Sequence, residues 1–307
     1  LRDMHPRKTG ALLQGSVLMG AACGPIGEAA WEALSVYGDA LGLAESELSL
    51  LKLMIARPDG VILVTGPTGS GKTTTLYSII NHINTESVNI MTLEDPVEYP
   101  MNMIRQTSVN ESVKLGFADG IRSMMRQDPD IILVGEIRDR ETAEMAFAAA
   151  MTGHQVYSTL HTNSAIGSIS RLLDIGILPD IMAGNIIGIV AQRLVRRLCV
   201  HCKSPYQAEA HETLLLGGSP DSPRPVIFRP CGCERCDFQG YRGRLAIMEI
   251  LRMNADMDEL VARRCTAREI RHLADQQGFV ALADDGLRRV LDGSTSLEEL
   301  GRIVDLT

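Results

Sequence analysis

At 307 residues the chain is longer than one compact core usually organises, so one large domain with appendages, or two domains, is expected. Hydrophobic residues make up 45% and aromatics 4%, a balance that suits an aliphatic α/β core and offers little stacking surface for single-stranded nucleic acid. A formal net charge of -8 argues against a surface built to neutralise phosphate backbones, and no nucleic-acid partner is expected.

Residues 1–42, rich in Gly and Ala with Pro6 and Pro25, show no sustained period and receive no fold assignment. No basic-then-apolar leader is visible at Leu1, so an excised start and a cytoplasmic location are expected. From Leu43 the pattern sharpens. Ser46 is placed to cap a helix through Ala56, with Leu48, Leu51 and Ile55 on one face and Pro58-Asp59-Gly60 as its stop. The run Val61-Ile62-Leu63-Val64 reads as a buried parallel strand, and similar runs recur at 88–91, 131–134 and 155–158. Helical stretches at 72–83, 117–127 and 139–151 alternate with them, the order that builds a doubly wound sheet. Residues 181–191 are the most apolar stretch and fall short of the roughly 18 residues of a membrane span. Residues 43–198 are therefore read as an α/β core, 199–243 as an inserted cysteine-rich knob, and 244–307 as a strand followed by a helical subdomain. In that last part Thr266 precedes a helix, and Gly278 and Gly293 mark breaks.

Gly66-Pro67-Thr68-Gly69-Ser70-Gly71-Lys72-Thr73 fits the phosphate-binding loop pattern completely, after a strand and before a helix. Its glycines let backbone N–H groups turn toward phosphates, Lys72 reaches the outer phosphates and Thr73 can ligate Mg²⁺; Thr74 completes the expected ATP-binding set. Glu136 lies just past the strand Ile131–Val134, where open α/β sheets hold ligands, and is placed to act on attacking water or the Mg²⁺ shell. Glu94, Asp95 and Glu98 crowd the end of another strand, a density that calls for a nearby cation. His161 follows the fourth strand, which His154 opens, and can report on the outer phosphate or be a satisfied core histidine.

Seven cysteines occur, five of them between Cys199 and Cys236. The pairs Cys199/Cys202 and Cys233/Cys236 are separated by 30 residues, which suffices to gather four thiolates around one tetrahedral Zn²⁺. Cys231 is an additional thiol and His201 an alternative ligand.

The loop, the acidic box Thr92–Glu98, the run Arg126–Asp139 and the run Ser158–Asn163 together resemble the Walker A, aspartate box, Walker B and histidine box of the secretion ATPase superfamily. The resemblance extends from about Leu43 to the end. It implies a P-loop, RecA-like core, Glu136 as the Walker B carboxylate, Glu94 as a partner in orienting or deprotonating water, and a sensing role for His161. Which of the two acids is the base stays open. Arg122, Arg126, Arg138 and Arg193 fall at family-like positions and are candidates to neutralise charge across subunits. With the knob, the run Gly240-Tyr241-Arg242-Gly243-Arg244 resembles the type II secretion and type IV pilus assembly branch more than the retraction branch. The resemblance further implies a homohexamer at the cytoplasmic face of the inner membrane, an inner-membrane platform protein as partner, and indirect membrane association. A DNA-translocating motor, or one of the competence or conjugation type, is the alternative on the same core. Family members place an arginine-bearing domain before the motor, which residues 1–42 do not match.

Overall fold

The computed structural model describes residues 45–110, 116–219 and 222–306, so the unassigned segment 1–42 lies outside the described residues. In chain order come α1 (Glu45–Ile55), β1 (Gly60–Thr65), α2 (Lys72–Ile83), β2 (Ile90–Glu94), β3 (Ile104–Ser108), α3 (Phe117–Met124) and β4 (Ile131–Val134). Next are α4 (Arg140–Met151), β5 (Gln155–Leu160), α5 (Ala165–Asp174), the single turn α6 (Pro179–Met182) and β6 (Ile186–Leu198). Then follow β7 (Ser204–Gln207), α7 (Ala210–Leu215), β8 (Val226–Arg229), a 3₁₀ turn (Glu234–Cys236) and β9 (Tyr241–Arg252). The helices α8 (Ala255–Ala262), α9 (Ala267–Gln276), α10 (Leu282–Leu291) and α11 (Leu297–Gly301) complete the described chain.

A seven-stranded sheet runs in the order β3-β2-β4-β5-β1-β6-β9, parallel throughout except that β9 is antiparallel to β6. Strands covered on both faces read as continuous apolar runs, and β1, β4 and β5 are buried along their whole lengths. Val61 and Leu63 point into one core with Ile132, Phe147, Ile169 and Ala191; Ile62 and Val64 point into the other with Leu51, Leu76 and Ile80. Helices α1 and α2 thus cover one face, and α4 and α5 the other. A Cβ at Gly188 would strike Met54, so α1 docks closely on β6, and Met54→Ala is expected to cost about 2–5 kcal/mol.

Several boundaries differ from the sequence reading, each for a physical reason. Strand β2 starts at Ile90 because Asn89 turns to the segment before β4: its N–H donates to Asp130 (2.7 Å) and its side-chain amide to the carbonyls of Gln127 and Asp128. The same strand runs on through Glu94, which brings that carboxylate inside the sheet rather than beyond it. Helix α1 already contains Ser46, and α3 stops at Met124, with Asp128 in the left-handed region at φ 52°. Asp139 precedes α4 as its cap and accepts from the Thr142 N–H at 2.8 Å. Strand β3 is an edge strand of partly buried polar residues and gives no apolar run to read. The apolar stretch 181–191 is split between α6 and β6 and is apolar because β6 is buried between β1 and β9. Among the described residues no helix is long and apolar enough to cross a membrane.

The ends of β6 and β9 continue beyond the other strands. There Val195 and Ile247 join Ile227 of the small β7–β8 sheet and Leu282, Val290 and Leu300 of the C-terminal helices in a third core.

Candidate functional site

Residues 66–71 connect β1 to α2 at the carboxyl ends of the parallel strands, where open α/β sheets bind ligands. Gly66 has φ +149°, and a Cβ there would strike the Gln192 carbonyl and the Ser70 side chain. Gly71 stands before α2 at φ 89°, and no side chain caps the first turn, so its amides keep their capacity for an external acceptor. The Ser70 hydroxyl is buried without a partner. Lys72 Nζ donates to the carbonyls of Gly66 (2.9 Å) and Pro67 (3.2 Å), folding back over its own loop. Burial pulls its ammonium below the ordinary lysine range; Glu136 opposes this and Arg193 adds to it. Left-handed glycines, an uncapped helix start, an orphaned hydroxyl and an inward lysine together fit a polyphosphate.

The loop is clamped from the neighbouring strand by Gln192, which is 1% exposed. Its Nε2 donates to the Ser70 carbonyl at 2.6 Å, and its Oε1 accepts from Thr75 Oγ1 at 2.7 Å. In the sequence Gln192 is simply the polar residue that follows the apolar stretch 181–191. Its role depends on the β1–β6 pairing, which no local pattern announces.

Glu94 ends β2 and is 3% exposed. Its Oε2 accepts from the Tyr77 hydroxyl, and its Oε1 accepts from Thr92 Oγ1 at 2.5 Å and Gln106 Nε2 at 3.3 Å. Burial, followed by this bond to Glu94, pushes the Tyr77 phenol far above its ordinary range, so Tyr77 stays a donor. Glu136 follows β4, and its carboxylate meets two cations or potential cations: Arg138 on Oε1, and His161 Nε2 on Oε2 at 3.2 Å. Arg138 also lies 3.6 Å from Asp95, linking the two acidic segments. Gly135 permits this proximity, since a Cβ there would press on the Glu94 backbone at 3.3 Å. Thr159 Oγ1 holds the Gly135 carbonyl at 2.8 Å, and the Ile137 N–H donates to Thr159, so β5 fixes the segment that carries Glu136.

A cavity of about 570 Å³ is lined by Thr68–Thr74, Tyr77, Glu94, Glu136 and His161, with Leu194 and Arg244 from the other side of the loop. The predicted loop, both predicted acids and the predicted histidine therefore share one space, with Gly66 and Pro67 just behind it under Lys72. His154 does not join them; it stays at the opposite end of β5, where its Nδ1 lies 2.9 Å from the Ala149 carbonyl. Of the candidate arginines, Arg122 pairs with Asp119 at 2.6 Å on an exposed helix face, Arg126 is exposed, and Arg193 is buried beneath the site. Arg244 stands in the sequence only as the last residue of the branch run Gly240–Arg244; its place beside the loop follows from the β6–β9 pairing.

The four cysteines Cys199, Cys202, Cys233 and Cys236 form a separate cluster, all sulfurs within 4.8 Å of one another. Cys199–Cys233, Cys202–Cys236 and Cys233–Cys236 are 3.9, 3.8 and 3.8 Å apart. A tetrahedral ion with Zn–S bonds of about 2.3 Å needs sulfur separations of about 3.8 Å, so the set fits such an ion, whereas a disulfide would need about 2 Å. Amides of Gly232, Cys233 and Gly240 donate to Cys202 or Cys236 at 3.2–3.3 Å, as suits thiolate ligands. Cys231 is exposed and stands outside the set, and His201 contacts Arg235 at 3.1 Å.

A largely parallel α/β sheet with a polyphosphate cradle and paired carboxylates at its strand ends is the class that the fold and cavity define. The family model described as "Type II/IV secretion system protein" matches residues 31–302, and the chain belongs to that family. It is 48% identical over 263 residues to a type II secretion system protein E of Pseudomonas aeruginosa, covering 86% of this chain and 52% of that protein. It is 46% identical to the type IV pilus assembly ATPase TfpB of Acinetobacter baylyi, covering 87% and 46%. The chain thus spans about half the length of these curated relatives. Among solved structures it resembles the pilus retraction motor PilT with bound ADP, at 30% identity and TM-score 0.61, covering 86% of this chain and 65% of that one. The ATPase DotB of Legionella pneumophila, at 24% identity and TM-score 0.62 over 86% and 64% of the two chains, shares the fold.

Proposed function

We propose that this chain is the ATP-hydrolysing motor portion of a machine that polymerises pilins or drives protein secretion through a pseudopilus. The observation that carries this reading is the convergence of an uncapped glycine loop, Lys72 and two carboxylates from neighbouring strands in one cavity. The kinship to secretion and pilus assembly ATPases supports it.

MgATP bound here supplies the phosphoryl group and the metal charge that offsets it. Gly66, Thr68–Thr74 and the first turn of α2 hold the phosphates, and Lys72 exchanges its own loop's carbonyls for outer phosphate oxygens. The Thr73 hydroxyl serves Mg²⁺. Glu136 is the better placed of the two acids to accept a proton from water, since its partners are side chains at the cavity wall that can rotate away. Glu94, with three donors already on its oxygens, acts as a fixed negative charge that orients the site. His161 senses the state of the outer phosphate through Glu136. Zn²⁺ is assigned to the four-cysteine cluster. The proposed working form is a homohexamer at the cytoplasmic face of the inner membrane, docked on a platform protein there.

Steady-state ATPase assays and titration with a fluorescent ATP analogue test this directly. Mg²⁺-dependent turnover and binding are expected, with Lys72→Ala losing both. A folded wild-type chain that binds no nucleotide, or a Lys72→Ala variant with unchanged affinity, overturns the reading.

A further inference from the structure

Two charged side chains lie buried under the cavity and are not used by the site above. Glu249 on β9 is 3% exposed and Arg193 on β6 is 8% exposed. The register pairs Thr65 with Ala191 and Ala191 with Glu249, so the row that starts at the end of β1 reaches Glu249 across three strands. Arg193 is two residues beyond Ala191 and emerges on the same face. Glu249 divides its carboxylate between two helices: Oε1 accepts from the N–H of Ala165, which opens α5, at 2.6 Å, and Oε2 from the N–H of Leu282, which opens α10, at 3.0 Å. Ala281 gives α10 no side-chain cap, so a residue distant in sequence caps it instead.

Arg193 completes the link toward the nucleotide. It donates to the Asn163 carbonyl (3.0 Å), to Asn163 Oδ1 (3.2 Å) and to the Gln192 carbonyl (3.0 Å). Asn163 is two residues past His161, and the intervening Thr162 donates its N–H to Thr65 Oγ1 at 3.0 Å. Burial pulls the Arg193 guanidinium below its ordinary range, and the Glu249 carboxylate opposes this. Next to Glu249, the Met248 N–H donates to Asp285 of α10 at 2.9 Å, so α10 is anchored to this part of β9 at two points. Aliphatic residues would fill the same space without the desolvation cost of two buried charges, and charges retained in such places can serve to fix one arrangement of the parts they join.

We infer that Glu249 and Arg193 are positioning residues that tie the His161–Ser164 segment to the first turn of α10, so that a nucleotide-driven shift of that segment reaches the C-terminal helices. This rests on the proposed nucleotide site. The segment touches that site through His161, and α10 touches it nowhere in the cavity lining.

The experiment is amide hydrogen exchange on the full chain with and without a non-hydrolysable Mg-ATP analogue, read at the peptides holding Ala165 and Leu282. In the wild type both should slow together, by about tenfold. In Glu249→Gln, which keeps one acceptor but loses the charge and the second acceptor, the response should persist at Ala165 and vanish at Leu282, with analogue affinity within about threefold. Should Glu249→Gln not fold, Arg193→Lys keeps the buried charge while losing the forked contact to Asn163, and it too should lose the Leu282 response. A wild type in which Leu282 ignores the nucleotide although the analogue binds, or variants in which Leu282 responds as in the wild type, overturn the inference. No analogue binding at all sinks the nucleotide site as well, which separates the two failures.

Discussion

The cavity and the cysteine cluster meet the problem of unpaired charge in opposite ways. In the cavity the three central charged groups already have partners within the chain: Lys72 on its own loop's carbonyls, Glu136 on Arg138 and His161, and Glu94 on Tyr77, Thr92 and Gln106. In the cluster the thiols face mainly one another. Cys202 is pushed up to about 12, by burial first, whereas Cys236 is lowered to about 7 because amide and thiol donors outweigh the upward effect of burial. Such a set cannot comfortably hold four thiolates without a cation, while the cavity can fold before its ligand arrives. On the proposed reading the cavity is a switch whose internal pairs are exchanged for ligand contacts, and the cluster is a fixture built for an ion.

The largest effect that tests this contrast is loss of the ion. Chelation, or Cys233→Ser with Cys236→Ser, should take bound Zn²⁺ from about one per chain to near zero and expose residues 199–243 to protease, since structural zinc contributes on the order of 10 kcal/mol. The loop 66–74 should keep its nucleotide affinity, because its core is built from β1, α2 and β6. Elemental analysis and limited proteolysis read this; a metal-free protein with an intact lobe would contradict it.

A smaller effect is expected at Tyr77→Phe. It removes one of three donors to a buried carboxylate, which should cost about 1–3 kcal/mol in chemical denaturation and lower kcat more than nucleotide affinity. Unchanged stability would mean that Glu94 is not held as described. The smallest is Arg244→Ala. If this cation on the side of the loop away from the acids touches bound nucleotide, affinity should fall about fivefold with kcat nearly unchanged, a loss of roughly 1 kcal/mol. Equal affinity removes Arg244 from the site.

What could be read from the sequence was whatever is local. The phosphate loop is eight consecutive residues with fixed geometry, the cysteines come as two short pairs, and buried parallel strands such as Ile131–Val134 are continuous apolar runs. What could not be read depends on residues far apart in the chain. Gln192 clamps Ser70 across 122 positions, and Glu249 caps α5 across 84. Edge strand β3 lacks a second covered face and so lacks an apolar signature. The acidic box was legible as a dense group of acids, but its division was not: Glu94 closes a strand and is buried, whereas Asp95 is at the surface beside Arg138.

In the proposed site Glu136 exchanges internal partners for the work of hydrolysis, while the cradle binds nucleotide independently of it. Glu136→Gln keeps the side-chain shape and removes the charge and the proton acceptor. Rapid-quench single-turnover analysis of this variant with MgATP should find nucleotide bound with affinity within about threefold of wild type and cleavage slowed by about 10²- to 10⁴-fold. Cleavage at the wild-type rate would contradict the account.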